Sequence, residues 1–208
     1  MKTKVVRISR ELPGWKPIST AASIIDSGGL ICFPTDTTYG FAASIYSHQA
    51  IERLRKLKAR GKGQPFVIIV SDMGMVQELA RRITPKHRRL IELYWPGPLT
   101  LVFEASKRVP PYIVSEEGTI ALRIPNDTLT QALLRACGIP LAAPSANSKG
   151  KRPAISAEEV LGYFRGKVEL VLDGGMLESP EPSTIVAVSA SRLHILRKGR
   201  LALGGQTI

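Results

Sequence analysis

Four stretches of the chain hold residue types that could grip a small charged molecule. PTDTTYG, residues 34–40, sets Thr35, Thr37, Thr38, an acid and Tyr39 directly after an apolar run. KLKARGKGQP, residues 56–65, carries Lys58 and Arg60, and from Glu52 to Lys62 six positive residues face one negative, a net +5. Compensating a helix dipole takes about one or two cations, so the surplus favours an anion site, with Gly61 and Gly63 free to let backbone approach a phosphate. LAAPSANSKGKRP, residues 141–153, offers Ser145 and Asn147 as donors to phosphate oxygens or a ribose. Arg123 sits between apolar neighbours in TIALRIP, and an arginine in a buried strand wants a carboxylate or phosphate partner. Each stretch also has a plain reading: a threonine-rich turn, a solvated helix end, a Ser/Asn turn and a structural ion pair.

Other chemistries lack their signatures. No GxGxxG follows a strand, and no GxSxG elbow or HExxH helix occurs. GYFRGKV, residues 162–168, falls one residue short of a Walker A spacing and lacks its Ser or Thr. Cys32 and Cys137 read as buried small hydrophobes, and His48, His87 and His194 have no metal-spaced neighbours, so no protein-held metal is expected. What remains is a set of polar residues where strands run out into loops, the usual ligand position of open sheets.

The elements that must position these residues follow from patterning. Strands are expected at 4–8, 30–35, 66–70, 99–104, 119–124, from 139, and near 168–172, 184–188 and 193–197. Helices are expected at 19–26, 49–59, 73–82, 85–94, after an Asn126 or Asp127 cap, and from a Ser156/Glu159 capping box to Phe164. Irregular alternation, with the last strands following one another, implies an α+β (α/β type) single domain over residues 1–208. Its mixed, twisted sheet would carry helices on its faces and a concave basic cavity. At 44% hydrophobic the chain of 208 residues can bury a core, and 29 Lys and Arg against 17 Asp and Glu, net +12, point to polyanionic partners. No apolar run reaches the roughly 18 residues of a membrane span, and the N-terminus has no apolar signal region, so a cytoplasmic protein is expected.

PTDTTYG, the Lys58–Arg60 triplet KAR, TIALRIP, the Ser145–Asn147 triplet SAN, STIV at 183–186 and LRKGR at 196–200 together resemble the YrdC/Sua5 family from about residue 16 to 201. The resemblance implies a threonylcarbamoyl-AMP synthase. Such enzymes combine L-threonine, bicarbonate or CO2 and ATP into L-threonylcarbamoyladenylate and pyrophosphate, for N6-threonylcarbamoylation of adenosine 37 in tRNA. It implies that Thr35 and Arg123 hold the threonine, with Tyr39, Ala143 and Ser183 alongside. Lys58, Arg60, Ser145 and Asn147 would bind ATP and carry the catalysis, with Thr119 and Arg197 completing the nucleotide site. Mg2+ would arrive with ATP, and tRNA or the downstream threonylcarbamoyl transferase complex would be further partners. Two positions depart from the family pattern: Gly61 stands where many relatives have Pro, and Ile69 where many have His. The rival reading is an RNA-binding module using Arg81, Arg82 and Lys86 through Arg89. It lacks an RNP or KH pattern, and aromatics make up only 6% of the chain.

Overall fold

The computed structural model describes residues 2–189 and 192–203. The elements in chain order are β1 (Lys4–Arg7), α1 (Trp15–Asp26), β2 (Ile31–Pro34), β3 (Tyr39–Ser44), α2 (His48–Lys58), β4 (Val67–Ile69), α3 (Met73–Leu79) and α4 (Pro85–Tyr94). They continue with β5 (Leu99–Glu104), a 3-10 turn (Pro111–Ile113), β6 (Thr119–Arg123), α5 (Thr128–Cys137), β7 (Leu141–Ala142) and α6 (Ala157–Phe164), and end with β8 (Leu170–Asp173), β9 (Thr184–Val188) and β10 (Leu193–Arg197). The strands form one mixed sheet in the order β1-β8-β2-β3-β7-β4-β6-β5-β9-β10. No helix among the described residues is long and apolar enough to cross a membrane.

The alternation of side chains along each strand builds two cores. Ile31, Phe33, Leu170 and Leu172 face α1 and α5, against Ile18, Ile25, Leu129 and Leu133. Their neighbours Cys32 and Val171 face the other way, into a larger cluster with Phe41, Leu54, Val76, Leu90 and Phe164. Caps fix the helix starts as the sequence suggests: Asp127 and Ser156 accept from Thr130 N and Glu159 N, and Gly138 ends α5 with φ 63°. The Glu159 side chain does not complete a capping box; it accepts from Ile155 N at 3.0 Å instead.

The departures have physical causes. α1 starts at Trp15, not Ser19, behind an extended Gly14 without a side-chain cap, because Pro17 is tolerated in a first turn. α3 stops at Leu79 because the chain is drawn onto the edge of β5, Arg81 N donating to Glu104 O at 2.8 Å. Strand β3 is absent from the sequence reading: YGFAAS has no β-branched residue, yet β2 and β7 pair with it on both sides. Cys32 is buried as expected, whereas Cys137 is half-buried.

Candidate functional site

The site follows from the same alternation. Ile68, Ile120, Leu122 and Val186 point into the larger core. The opposite face of those strands shows Val67, Ile69, Thr119, Ala121, Arg123 and Ile185; Ile69 packs into the core under α1 and α5, and beside it the structure holds a cavity of about 350 Å³. Thr35, Thr37 and Thr38 close one end of it, Ala143, Pro144 and Ser145 one side, and Ser183, Leu196 and Arg197 the other. Gly40 and Ser145 form a bridge that holds the 34–40 and 143–147 segments together. The volume lies within the ordinary range for small-molecule sites.

Arg123 is 4% exposed and tied at three nitrogens. Its Nε donates to Gly97 O at 2.8 Å and Nη1 to Thr37 Oγ1 at 3.1 Å, while Nη2 pairs with the Asp36 carboxylate. The other Asp36 oxygen accepts from Asn126 N at 3.2 Å, and Asp36 O accepts from the Arg200 guanidinium at 2.7 Å. Of the five N–H groups three are committed, which leaves one on each terminal nitrogen, the number a bidentate carboxylate takes. Thr35 caps its own turn, its hydroxyl donating to Thr38 O at 2.8 Å and accepting from Thr37 N at 3.1 Å.

Two further guanidiniums have no carboxylate partner among the described residues. Arg60 donates from Nη1 to Pro65 O at 2.6 Å and lies over the Phe66 ring at 5.2 Å. Arg197 grips Ser183 O from Nε and Nη2 at 3.0 and 2.8 Å, and Ser183 Oγ shares a 2.7 Å hydrogen bond with Thr100 Oγ1. Burial, then the charges of Arg60 and Arg123, bring the Arg197 pKa down to about 10. Burial also lowers those of Arg60 and Arg123. Against these three cations the described lining sets one carboxylate, Glu117, at the exposed rim. The cavity is therefore an anion site with a neutralised end at Arg123 and an unneutralised end at Arg60 and Arg197.

Lys58 does not reach the cavity lining. Its ammonium, 8% exposed, donates to Ser145 O at 2.8 Å, Asn147 O at 2.7 Å and Asn147 Oδ1 at 2.7 Å, which uses all three N–H groups. Ser145 Oγ donates to the same Asn147 Oδ1 at 2.7 Å. The KAR and SAN triplets are thus one clamp, with Lys58 and Asn147 behind the wall and Ser145 and Arg60 on it. Burial and the nearby charges of Arg60 and Arg197 bring the Lys58 pKa down to about 8, the opposing effect of Cys32 included.

Of the residues expected in the site, Thr35, Arg60, Thr119, Arg123, Ala143, Ser145, Ser183 and Arg197 line one cavity. Tyr39 is a correction. Its ring lies in the opposite core, and its hydroxyl donates to Gly175 O at 2.7 Å and accepts from Gly174 N at 3.1 Å. As the first residue of β3, it faces away from the side that Gly40 shows the cavity. Asp36, Thr37, Thr100 and Arg200 complete the site; Thr37 and the acid stand out in PTDTTYG without a role, while Thr100 and Arg200 carry no local signal because their partners lie far along the chain. None of Arg81, Arg82 and Lys86 through Arg89 lines the cavity.

Comparison with known proteins places this geometry. A family model for Sua5/YciO/YrdC, described as "Telomere recombination", matches residues 23–199. A relative from Pyrococcus abyssi (strain GE5 / Orsay) named Threonylcarbamoyl-AMP synthase is 34% identical over 201 residues, which cover 97% of this chain and 59% of that protein. The crystal structure of P. abyssi Sua5 complexed with L-threonine superposes with a TM-score of 0.89 at 34% identity, over 95% of this chain and 58% of that one. E. coli YciO superposes with a TM-score of 0.88 at 26% identity, over 95% of this chain and 96% of that one. The chain spans about three fifths of the length of the Pyrococcus relative. With a family match across residues 23–199 and one cavity assembled from the segments that match, the chain belongs to the Sua5/YciO/YrdC family.

Proposed function

We propose that this chain is an L-threonylcarbamoyladenylate synthase, joining L-threonine, CO2 drawn from bicarbonate, and ATP. The observation that carries the reading is the division of the cavity: a pinned, charge-balanced guanidinium at Arg123 beside two unbalanced ones at Arg60 and Arg197. The first suits an amino-acid carboxylate and the second a polyphosphate. A relative's name and a relative's threonine complex point the same way.

In this reading Arg123 grips the threonine carboxylate, with Thr35, Ala143 and Ser183 beside it. Ile69 offers an apolar wall. The threonine amine adds to CO2 and loses a proton, giving a carbamate. A carbamate oxygen attacks the α-phosphorus of ATP while the bond to the β-phosphate oxygen breaks and pyrophosphate leaves. No protein nucleophile takes part; the chain's task is orientation and charge stabilisation. Arg60, Arg197, Thr119 and Ser145 line the part that meets the nucleotide, and Lys58 and Asn147 hold Ser145 in place. Mg2+ enters as part of the nucleotide substrate and shields its phosphates. Among the described residues no group of three or more Asp, Glu, His or Cys side chains converges on an ion, and Glu117 is the carboxylate within reach of the mouth. The product would pass to tRNA through a threonylcarbamoyl transferase in the cytoplasm.

The test is pyrophosphate release from Mg-ATP by the folded chain. The reading expects release that requires both threonine and bicarbonate, with serine a poor substitute. Release independent of threonine, or none, overturns it.

A further inference from the structure

We propose that Asp36 is the specificity residue that makes the Arg123 end of the cavity take a carboxylate and refuse a phosphate. The inference rests on the preceding assignment of an amino-acid carboxylate to Arg123 and adds what keeps the other substrate out. Guanidinium forks bind carboxylates and phosphates alike. Three of them line one cavity of about 350 Å³, so a triphosphate or a released pyrophosphate entering it could as well settle on Arg123. Something must separate the two anions.

Asp36 is placed to do so. One carboxylate oxygen pairs with Arg123, the other is held by Asn126 N at 3.2 Å, and the side chain is 13% exposed, so its charge is fixed and poorly screened. Among the described residues neither Arg60 nor Arg197 has such a partner; both spend donors on carbonyl oxygens instead. An anion arriving at Arg123 meets this negative charge a few ångströms away. A phosphate group near −2 feels about twice the repulsion of a carboxylate at −1. At an effective dielectric near 20 and a separation of about 5 Å, the extra unit of charge is worth roughly three hundredfold in relative affinity. Specificity of this kind comes from a repulsive element and not from added attraction.

Geometry and charge can be told apart here. Without the Asp36 charge, Arg123 keeps its bonds to Gly97 O and Thr37 Oγ1, so Asp36→Asn leaves the guanidinium oriented by two of its three ties. A residue that merely supported the fold would alter all ligands together. A residue that sorts anions alters the competition between them.

The experiment is calorimetric titration of the whole chain with L-threonine at fixed ionic strength and increasing magnesium-free pyrophosphate. In the unsubstituted protein the threonine Kd should change less than about threefold as pyrophosphate saturates its own end of the cavity. In Asp36→Asn the threonine Kd should climb in proportion to pyrophosphate, by about tenfold or more over the same range. Equal sensitivity in both proteins, or an insensitive variant, overturns the proposal. If the variant does not fold, the unsubstituted protein decides alone: strict competition between pyrophosphate and threonine there overturns it. Failure of threonine to bind at all, with or without pyrophosphate, would refute the threonine assignment itself, which is a different result from threonine that binds and is freely displaced.

Discussion

Raising the pH should switch off nucleotide handling at Lys58 while the Lys58 contribution to fold stability grows. At pH 7 an amine with a pKa of about 8 is roughly 90% ammonium, and at pH 9 roughly 10%. The neutral amine has two N–H groups for three acceptors, so one of Ser145 O, Asn147 O and Asn147 Oδ1 loses its donor and faces a lone pair. Ser145 then loses its support on the cavity wall. ATP affinity, measured by titration without bicarbonate, should fall about tenfold from pH 7 to 9 with a midpoint near 8. Pyrophosphate release cannot serve as the readout here, because dissolved CO2 gives way to bicarbonate over the same range. The Lys58 contribution to stability moves oppositely and is read as the difference from Lys58→Arg, because burial raises the pKa of Cys32 and Cys137 and so takes stability away above about pH 9 in both proteins. The folded pKa lies below the ordinary 10.5, so between about 8 and 10.5 the unfolded chain holds a proton that the folded one has released, and the unfolding free energy rises. That contribution is about 3–4 kcal/mol, from about 2.5 pKa steps at about 1.4 kcal/mol each. The assays are ATP titration and chemical denaturation at matched pH, with Lys58→Arg as control, since a guanidinium stays charged and should lose the alkaline limb. A limb that persists in Lys58→Arg, or ATP affinity flat to pH 9, would refute the clamp.

Three other outcomes are expected. Tyr39→Phe should cost about 1–2 kcal/mol of stability, read by denaturant unfolding, and leave the KM for threonine and for ATP within twofold, because the lost hydroxyl serves Gly174 and Gly175, outside the cavity. Arg197→Met should raise the KM for ATP by about tenfold or more and change that for threonine much less, since the charge it removes lies at the unneutralised end. His87 is buried under β5 with Nε2 donating to Val102 O at 3.0 Å and Nδ1 accepting from Thr84, and burial lowers its pKa below 6.5. Below that value the unfolded chain takes the proton first, so melting temperature should drop from pH 7 to 5 by more than it does in His87→Gln.

How far the sequence could be read depended on whether the deciding contacts were local. Asp127, Gly138 and Ser156 act on amides within a few residues, and the bounds they set for α5 and α6 hold. β3 escaped because its small residues become a strand only when β2 and β7 flank them. Within the site, TIALRIP carries more information than the burial of one arginine: Thr119, Ala121 and Arg123 share one face and Ile120, Leu122 and Ile124 the other, which marks the open side of the sheet. Roles were harder than positions. Lys58 and Arg60 differ by two residues and look interchangeable as cations, yet one is spent inside the wall and the other lines the cavity. Tyr39, beside a glycine that does line it, turns the opposite way.

That divergence of Lys58 and Arg60 has a local cause, which gives a last prediction. α2 ends in a Schellman arrangement: Arg60 N donates to Arg55 O at 3.0 Å and Ala59 N to Lys56 O at 3.2 Å. The residue between, Ala59, is left-handed at φ 46° and ψ 45°, a position that normally takes glycine. The turn at Ala59 reverses the chain, so the helical Lys58 reaches back to Asn147 while Arg60 swings onto Phe66 and the cavity. An alanine there costs about 1–2 kcal/mol of steric strain, of which glycine would return roughly half after its own entropy is counted. Ala59→Gly should therefore raise stability by about 0.5–1 kcal/mol, or roughly 1–4 °C in a chain of this size, with ATP affinity within twofold because both hydrogen bonds of the turn survive. A lower melting temperature, or weakened ATP binding, would mean that the alanine methyl is a contact the site needs and not a strain it tolerates.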